Sequence, residues 1–133
     1  MPAVDNYSDP FKYCDANMVG GHWCPEFDIM EANRHAFHVT AHKCDEPNPN
    51  GVYSNCDRGG QCTLDILTNT DRLDYGAGRD FKIDTTMPFH VKTEFHEDAG
   101  QFAGYTTTLT QGSNEVVMTT GSCAYLNYMT TDI

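Results

Sequence analysis

Residues 24–33, with the sequence CPEFDIMEAN, determine the predicted fold and chemistry of this chain. Three carboxylates, Glu26, Asp28 and Glu31, are interleaved there with large apolar side chains, a pattern typical of a strand with one wet and one buried face. Because side chains alternate along a strand, Glu26 and Asp28 point to the same side, whereas strict alternation would turn Glu31 to the other. We therefore predict a β-bulge near residues 29–30, which absorbs one residue and returns Glu31 to the side of the other two acids.

The same geometry gives the three carboxylates a chemical use. With one residue absorbed, the Cα atoms of Glu26 and Glu31 are separated by roughly 13 Å. Side chains that lean toward each other would bring the carboxyl groups to roughly 5–5.5 Å, where one attacks a sugar's anomeric carbon and the other protonates the leaving oxygen. Asp28 lies between them and can hold a proton or hydrogen bond that keeps their pKa values apart. The pattern predicts retaining glycoside hydrolysis.

A helical interpretation of these residues gives a different result. Pro25 is favoured at the start of a helix, and residues 30–33 are compatible with one. On a helix, Glu26 and Asp28 would point roughly 160° apart, so the acids would form a solvated patch and no shared site.

Two ordered blocks of sequence resemble glycoside hydrolase family 7, the fungal-type cellulases. The first is Glu-x-Asp-x-x-Glu-Ala-Asn at residues 26–33, followed by Thr-x-His-x-Cys at residues 40–44. The second is Ile-Asp-Thr-Thr-x-Pro-Phe-x-Val-x-Thr-x-Phe at residues 83–95. The family contains cellobiohydrolases and endo-β-1,4-glucanases on a large β-jelly-roll. The resemblance therefore implies a cellulase, with β-1,4-glucan as its partner and no cofactor.

The resemblance also implies a role for each matching residue. Glu26 resembles the family's nucleophile, and Glu31 resembles its general acid/base. Asp28 resembles the carboxylate that assists the nucleophile. His42 resembles a histidine that lines the site near the leaving group, and we expect it to bind the sugar. The sequence departs from the family at Met30, where the family usually has tryptophan.

Two tyrosines are further candidates for binding substrate. Tyr53 and Tyr75 lie in polar loops, where their rings can stack on sugar faces. Phe27, Phe89 and Phe95 occur at strand spacing, and we expect them in the core.

The cysteine content predicts a protein held together by disulfides in an oxidising compartment, because six cysteines in a chain this short far exceed ordinary usage. Six cysteines allow 15 connectivities, and spacing alone does not choose among them. The family resemblance implies the pairs Cys14–Cys24, Cys44–Cys56 and Cys62–Cys123. The first residues contain no apolar signal-peptide region. We expect an extracellular protein whose leader is absent from this chain.

A zinc site is the alternative interpretation of the histidines. If residues 32–43 were helical, His38 and His42 would share a face and need only a further ligand. Cys24 and Cys44 lie nearby in the sequence, but cysteines in disulfides cannot supply thiolates. We therefore predict no metal site.

Length and composition limit the classes of protein to which this chain can belong. A chain of 133 residues with 39% hydrophobic residues predicts one domain, over residues 1–133, with a modest core. A net charge of −11 argues against binding to nucleic acid or anionic membranes. No apolar run is long enough to span a membrane. The oligomeric state is left open.

The distribution of strand signals predicts an all-β fold. Residues 32–43 fit a short helical turn or a strand edge, and residues 44–62 are predicted to form a loop. The expected architecture is an antiparallel β-sandwich of jelly-roll type that forms part of the larger family fold. The strand-like segments are 22–31, 79–84, 88–96, 103–110 and 114–120.

Three functional hypotheses follow from these patterns. The first is a secreted retaining β-1,4-glucan hydrolase, with endo-cleavage favoured because the loops beside residues 24–33 are short. The second is a jelly-roll remnant that binds β-glucan without hydrolysing it. The third is a partial chain that does not fold alone, because half a sandwich exposes its core face and sheet edges.

Overall fold

The computed structural model describes residues 13–132, and these residues form mostly β-structure. The strands are β1 (Glu26–Ala32), β2 (Phe37–His42), β3 (Gln61–Asp65), β4 (Tyr75–Gly76), β5 (Ile83–Asp84), β6 (His90–Asp98), β7 (Gln101–Gln111) and β8 (Asn114–Thr119). The helical turns are α1 (Ile66–Asn69), a 3₁₀ turn (Ala124–Tyr128) and α2 (Met129–Asp132). Within the described range, no helix has the length and apolar character to cross a membrane. The predicted leaderless start lies outside the described residues.

Two three-stranded antiparallel sheets form the body of the structure. The first sheet has the order β1-β2-β3 and the second has the order β6-β7-β8. They are joined by a shared core and by the Tyr105 hydroxyl of β7, which donates to the Val39 carbonyl of β2 at 3.1 Å. The predicted all-β class and antiparallel sandwich are confirmed. The short β4–β5 pair is parallel, which the sequence did not predict.

The core lies between the two sheets and fixes which face each strand turns outward. Phe37 and Val39 of β2 and Tyr105 and Leu109 of β7 are fully buried. Phe27 of β1 meets Tyr105 edge to face, with ring centroids 4.9 Å apart. Burying each side chain of this size stabilises the fold by about 1.5–3 kcal/mol. Because side chains alternate along β1 and β2, the neighbours of these core residues face away from the core.

The aromatic residues expected in the core occupy two environments. Phe27 and Phe89 pack against the core as partly buried residues, as predicted. Phe95 is 41% exposed on β6, an outer strand of its sheet, although its ring still contacts that of Phe102. A side chain of an outer strand has a neighbouring strand on one side only, which accounts for this exposure.

Residues 32–43, which fit either a short helical turn or a strand edge, form a tight turn followed by β2. The Asn33 side chain accepts hydrogen bonds from the backbone N–H groups of His35 and Ala36, at 2.8 and 3.0 Å. This Asx-type turn reverses the chain within four residues and lets β2 pair with β1. Farther along, β3 begins at Gln61, at the end of the predicted loop. Its polar sequence, QCTLD, contains a single fully buried side chain, Leu64, which explains why no strand was predicted there.

All six cysteines are paired, and the connectivity implied by the family resemblance is confirmed. The first bond secures the chain before β1, the second closes the loop after β2, and the third joins β3 to the segment before the 3₁₀ turn. The bonds are Cys14–Cys24, Cys44–Cys56 and Cys62–Cys123.

We predict that the Cys62–Cys123 bond contributes most to stability, because its partners are 61 positions apart. On the chain-entropy model, replacing both residues by alanine should lower the free energy of unfolding by roughly 4 kcal/mol. The matched control, the Cys14→Ala/Cys24→Ala variant, spans 10 positions and should cost about 1–2 kcal/mol less. Urea titrations under non-reducing conditions would measure both, and a larger loss for the control would contradict the prediction.

Candidate active site

The predicted β-bulge is present in β1 and brings the three acids to one face. Glu26 pairs with His42 of β2, whereas Glu31 pairs with His38, so the register shifts by one residue between Asp28 and Glu31. His38 and His42 are four positions apart on β2 and therefore share a face. Their cross-strand partners share it too. The strand interpretation of residues 24–33 is thus confirmed.

The position of β1 in its sheet makes the bulge tolerable. Strand β1 is an outer strand that pairs only with β2 among the described strands. Ile29 and Met30, the two residues between the paired segments, are 53% and 55% exposed. Bulges are concentrated at sheet edges because the extra residue there disturbs only one ladder of hydrogen bonds. The chain therefore turns Glu31 outward without disrupting the core.

His42 is held between two oxygen atoms beneath the acidic face. Its Nδ1 atom lies 2.8 Å from the Asp57 carbonyl oxygen, and its Nε2 atom lies 3.0 Å from Oδ2 of Asp28. A carbonyl oxygen can only accept, so Nδ1 carries a hydrogen and Nε2 is the atom that faces Asp28. A hydrogen bond between Nε2 and Oδ2 then requires one further proton, on either the imidazole or the carboxyl group.

This arrangement argues against the sugar-binding role expected of His42. The residue is 5% exposed, and both ring nitrogens are engaged by protein atoms. A buried imidazole with no free nitrogen is poorly placed to hydrogen-bond a sugar. Its geometry is instead that of a residue that supports Asp28.

The surroundings of Asp28 raise its pKa. Burial, followed by the charges of Glu26 and Glu31, raises its pKa to about 6, although His42 opposes the shift. A hydrogen bond between Asp28 and Glu26 adds to the rise, since a protonated Asp28 can donate to Glu26. At mildly acidic pH, Asp28 therefore keeps a proton that two like-charged neighbours stabilise.

Glu26 is fixed through both its side chain and its backbone. Its Oε2 atom accepts a hydrogen bond from the backbone N–H of Ala16 at 3.0 Å. Its carbonyl oxygen accepts one from the Tyr128 hydroxyl at 2.9 Å. Ala16 is fully buried and lies within the loop closed by the first disulfide. A residue before the two sheets therefore orients the carboxylate of Glu26, and a residue after them holds its backbone.

Glu31 occupies the open end of the acidic face. Its side chain is exposed, unlike those of Glu26 and Asp28, which are half-buried. Its cross-strand neighbour His38 contacts Asp65, with Nε2 and Oδ1 3.2 Å apart. Exposure gives Glu31 access to water, which a residue that exchanges protons with solvent requires.

The two tyrosines predicted to bind sugar are buried. Tyr53 is 7% exposed and belongs to a small cluster around the second disulfide. Tyr75 is 4% exposed, its ring meets those of Phe37 and Phe89, and its hydroxyl donates to the Asn33 carbonyl at 2.8 Å. Neither ring presents a face for a sugar to stack on, so their burial argues against the predicted role.

The histidines do not form the alternative zinc site. His38 and His42 lie on a strand, where each contacts a carboxylate, and Cys24 and Cys44 are both in disulfides. Across residues 13–132, no three His, Cys, Asp or Glu side chains are grouped so that they could hold a metal ion.

Sequence reasoning missed the residues that support the acids from a distance. Asp57 and Tyr128 contact His42 and Glu26 from positions 15 and 102 residues away along the chain. Gly60 is the one such residue with a local signal, because a Gly-Gly pair indicates a turn. Its φ is +66°, and an added Cβ would lie 2.9 Å from Cε1 of His42. Only glycine fits there without displacing the imidazole.

Comparison with known proteins finds relatives in glycosyl hydrolase family 7. The sequence profile of glycosyl hydrolase family 7 matches residues 11–128. Endoglucanase 1 of Pyricularia oryzae is 35% identical over 117 residues, which cover 80% of this chain and 27% of the relative. Endo-beta-1,4-glucanase celB of Emericella nidulans is 33% identical over 124 residues, which cover 77% of this chain and 28% of the relative.

Solved structures of two relatives share the fold. An endoglucanase I complexed with cellobiose matches with a TM-score of 0.64 and 28% identity, over 78% of this chain and 31% of the other. A family 7 cellobiohydrolase from Daphnia pulex matches with a TM-score of 0.57 and 28% identity, over 71% and 25%. The chain thus spans between a quarter and a third of the length of these four relatives.

We predict that Asp28→Asn stabilises the protein at neutral pH. Folding raises the pKa of Asp28 from its ordinary 3.8 to about 6, so the stabilisation due to its protonated form is complete below pH 3.8 and lost as pH rises through 6. Asparagine resembles the protonated acid at every pH. The variant should exceed the wild type by roughly 1–3 kcal/mol at pH 7.5 and match it near pH 3.5, in thermal unfolding experiments.

Asp45→Asn provides a control of opposite sign. A hydrogen bond from Ser54 is the main cause that lowers the pKa of Asp45, so its carboxylate stabilises the folded state above its ordinary pKa. That substitution should destabilise the protein at pH 7.5. An Asp28→Asn variant that is less stable than the wild type at both pH values would contradict the prediction.

Proposed function

The chain belongs to glycosyl hydrolase family 7, and we propose that it is a retaining glycoside hydrolase acting on β-1,4-glucan. Glu26 serves as nucleophile, Glu31 as general acid/base and Asp28 as the proton-holding neighbour of Glu26. The observation that carries the proposal is the bulge in β1, which brings these three carboxylates to one face of the sheet. A solvated acidic patch with no chemical role requires neither this bulge nor the support around Glu26 and His42.

The proposed reaction proceeds in two displacements. In the first, a carboxylate oxygen of Glu26 forms a bond to the anomeric carbon while Glu31 donates its proton to the departing glycosidic oxygen. In the second, Glu31, now a carboxylate, takes a proton from water. The water oxygen displaces Glu26 from the anomeric carbon, which restores the original configuration.

Asp28 and His42 prepare Glu26 for the first displacement. The Ala16 N–H holds one oxygen of Glu26, and a protonated Asp28 donates a second hydrogen bond to its carboxylate. These donors fix the orientation of Glu26 before the substrate binds, which lowers the entropic cost of reaching the reactive geometry. His42 in turn fixes Asp28 through the 3.0 Å contact to Oδ2.

We further propose cleavage within the glucan chain by an extracellular protein. The β1–β2 connection is a four-residue turn, residues 33–36, which does not enclose the acidic face as a long loop would. Both curated relatives described above are named as endoglucanases. Three disulfides favour an oxidising compartment outside the cell.

A β-glucan-binding protein without turnover is the second candidate. One observation favours it: the sheet that bears the acids has three strands, with β1 at its edge, so the described surface extends to one side of the acids only. A sugar bound there would have few contacts to distort its ring toward the transition state.

We predict that soluble β-1,4-glucan is hydrolysed and that Glu26→Gln reduces the release of reducing ends to background. Glu31→Gln should lower the rate by about 10²–10⁴-fold, the usual contribution of a general acid/base. Glu115→Gln is the matched control, because Glu115 is an exposed glutamate on β8, in the other sheet, and should leave the rate unchanged.

Calorimetric titration with a β-1,4-gluco-oligosaccharide separates the two candidates. Binding without product release, by a wild-type chain whose circular dichroism shows folded β-structure, would support the binding protein and count against the hydrolase. Hydrolysis that persists in Glu26→Gln would rule out the assigned nucleophile.

A further inference from the structure

We infer that Asp57 and Tyr125 are positioning residues that hold His42 in a single tautomer, with Nε2 directed at Asp28. The effect of Asp57 and Tyr125 on catalysis rests on the proposed function. Its effect on the imidazole follows from the contacts alone and can be measured in a protein without activity.

Asp57 connects the loop after β2 to the end of β2 itself. Its backbone N–H donates to the Lys43 carbonyl at 2.8 Å, and its own carbonyl accepts from Nδ1 of His42 at 2.8 Å. Its Oδ1 atom accepts from the backbone N–H groups of Gly59 and Gly60, both at 3.1 Å. The residue thus makes contacts through its amide, its carbonyl and its carboxylate, which leaves the carbonyl little freedom to move.

Tyr125 closes this arrangement from the far end of the chain. Its hydroxyl donates to Oδ2 of Asp57 at 3.1 Å and accepts from the backbone N–H of Lys43 at 2.8 Å. Burial is the main cause that raises the pKa of Tyr125 to about 12, so the hydroxyl keeps its proton throughout the neutral range. Burial tends to raise the pKa of Asp57, but the hydrogen bonds it accepts lower it overall, so its carboxylate remains an acceptor.

Two disulfides hold the partners in place. Cys56 immediately precedes Asp57 and is bonded to Cys44, two positions after His42. Cys123 lies two positions before Tyr125 and is bonded to Cys62. Segments 82 positions apart along the chain therefore meet beside the imidazole, where Tyr125 contacts Lys43, and a disulfide lies close to each of them.

The chemical consequence concerns the proton between His42 and Asp28. If the imidazole adopted the other neutral tautomer, the lone pair of Nδ1 would face the Asp57 carbonyl oxygen, which also carries only lone pairs. That repulsion disfavours the tautomer as long as the carbonyl stays in place. The tautomer with a hydrogen on Nδ1 directs the Nε2 lone pair at Oδ2 of Asp28, so Nε2 and Glu26 are alternative acceptors for the single proton of Asp28.

The test compares the His42 imidazole in wild-type and variant proteins. Long-range ¹H–¹⁵N NMR spectra of the ring distinguish the two neutral tautomers and the imidazolium. We expect a single form with a hydrogen on Nδ1 in the wild type, and a mixture of tautomers in Tyr125→Phe and in Asp57→Ala. Asp57→Asn should keep the wild-type signature, because its amide can accept from the glycines and donate to Tyr125.

Asp45→Asn is the matched control, since Asp45 lies in the same disulfide loop but bonds to Ser54 and its neighbours rather than to His42. It should leave the imidazole spectrum unchanged. Wild-type spectra in Tyr125→Phe and Asp57→Ala, with both variants folded, would overturn the inference. If one variant does not fold, the other decides, because the two remove opposite ends of the same hydrogen bond.

Activity gives a second, separable measurement. Tyr125→Phe should lower kcat on soluble β-1,4-glucan by about 2- to 10-fold, the equivalent of one hydrogen bond, with little change in KM. An inactive wild type with the expected spectra would refute the proposed function and leave the positioning role supported. An active wild type whose variants keep both its spectrum and its kcat would refute the positioning role alone.

Discussion

The single-residue shift in register between β1 and β2 is the constraint on which the rest of the site depends. Side chains alternate along a strand, so without the extra residue Glu31 would point to the face that carries Phe27. Phe27 on that face packs against the core between the sheets, on the side opposite Glu26 and Asp28. The bulge therefore keeps the three carboxylates on one face, and the edge position of β1 makes it possible.

Placing three carboxylates on one face has an electrostatic cost that the structure relieves at Asp28. Its raised pKa, about 6, means that a proton is retained where three negative charges would otherwise meet. His42 lies beneath that proton and is itself held by the Asp57 carbonyl. A site arranged in this way gains reactivity and loses stability at neutral pH. This trade-off is common where like charges are held together for function.

The sequence predicted what depends on local pattern. Alternation around residues 26–31 was sufficient to predict the strand, the bulge and the shared face, and strand-forming residues predicted segments 88–96, 103–110 and 114–120, which form β6, β7 and β8. It did not predict β3, whose polar residues show no alternation, or the burial of Tyr53 and Tyr75. It also missed the contacts that Asp57 makes with His42, because tertiary contacts between distant segments leave no periodic signal.

The most direct test of the central claim is to trap the glycosyl-enzyme. Incubation with a 2-deoxy-2-fluoro-cellobioside bearing an activated leaving group, followed by peptide mass spectrometry, should show one fluorinated disaccharide attached to the peptide that contains Glu26, with fragmentation placing it on that residue. An adduct on Glu31 or Asp28 would contradict the assignment of roles. The absence of any adduct from a folded chain that binds the inhibitor would contradict a retaining mechanism on this face.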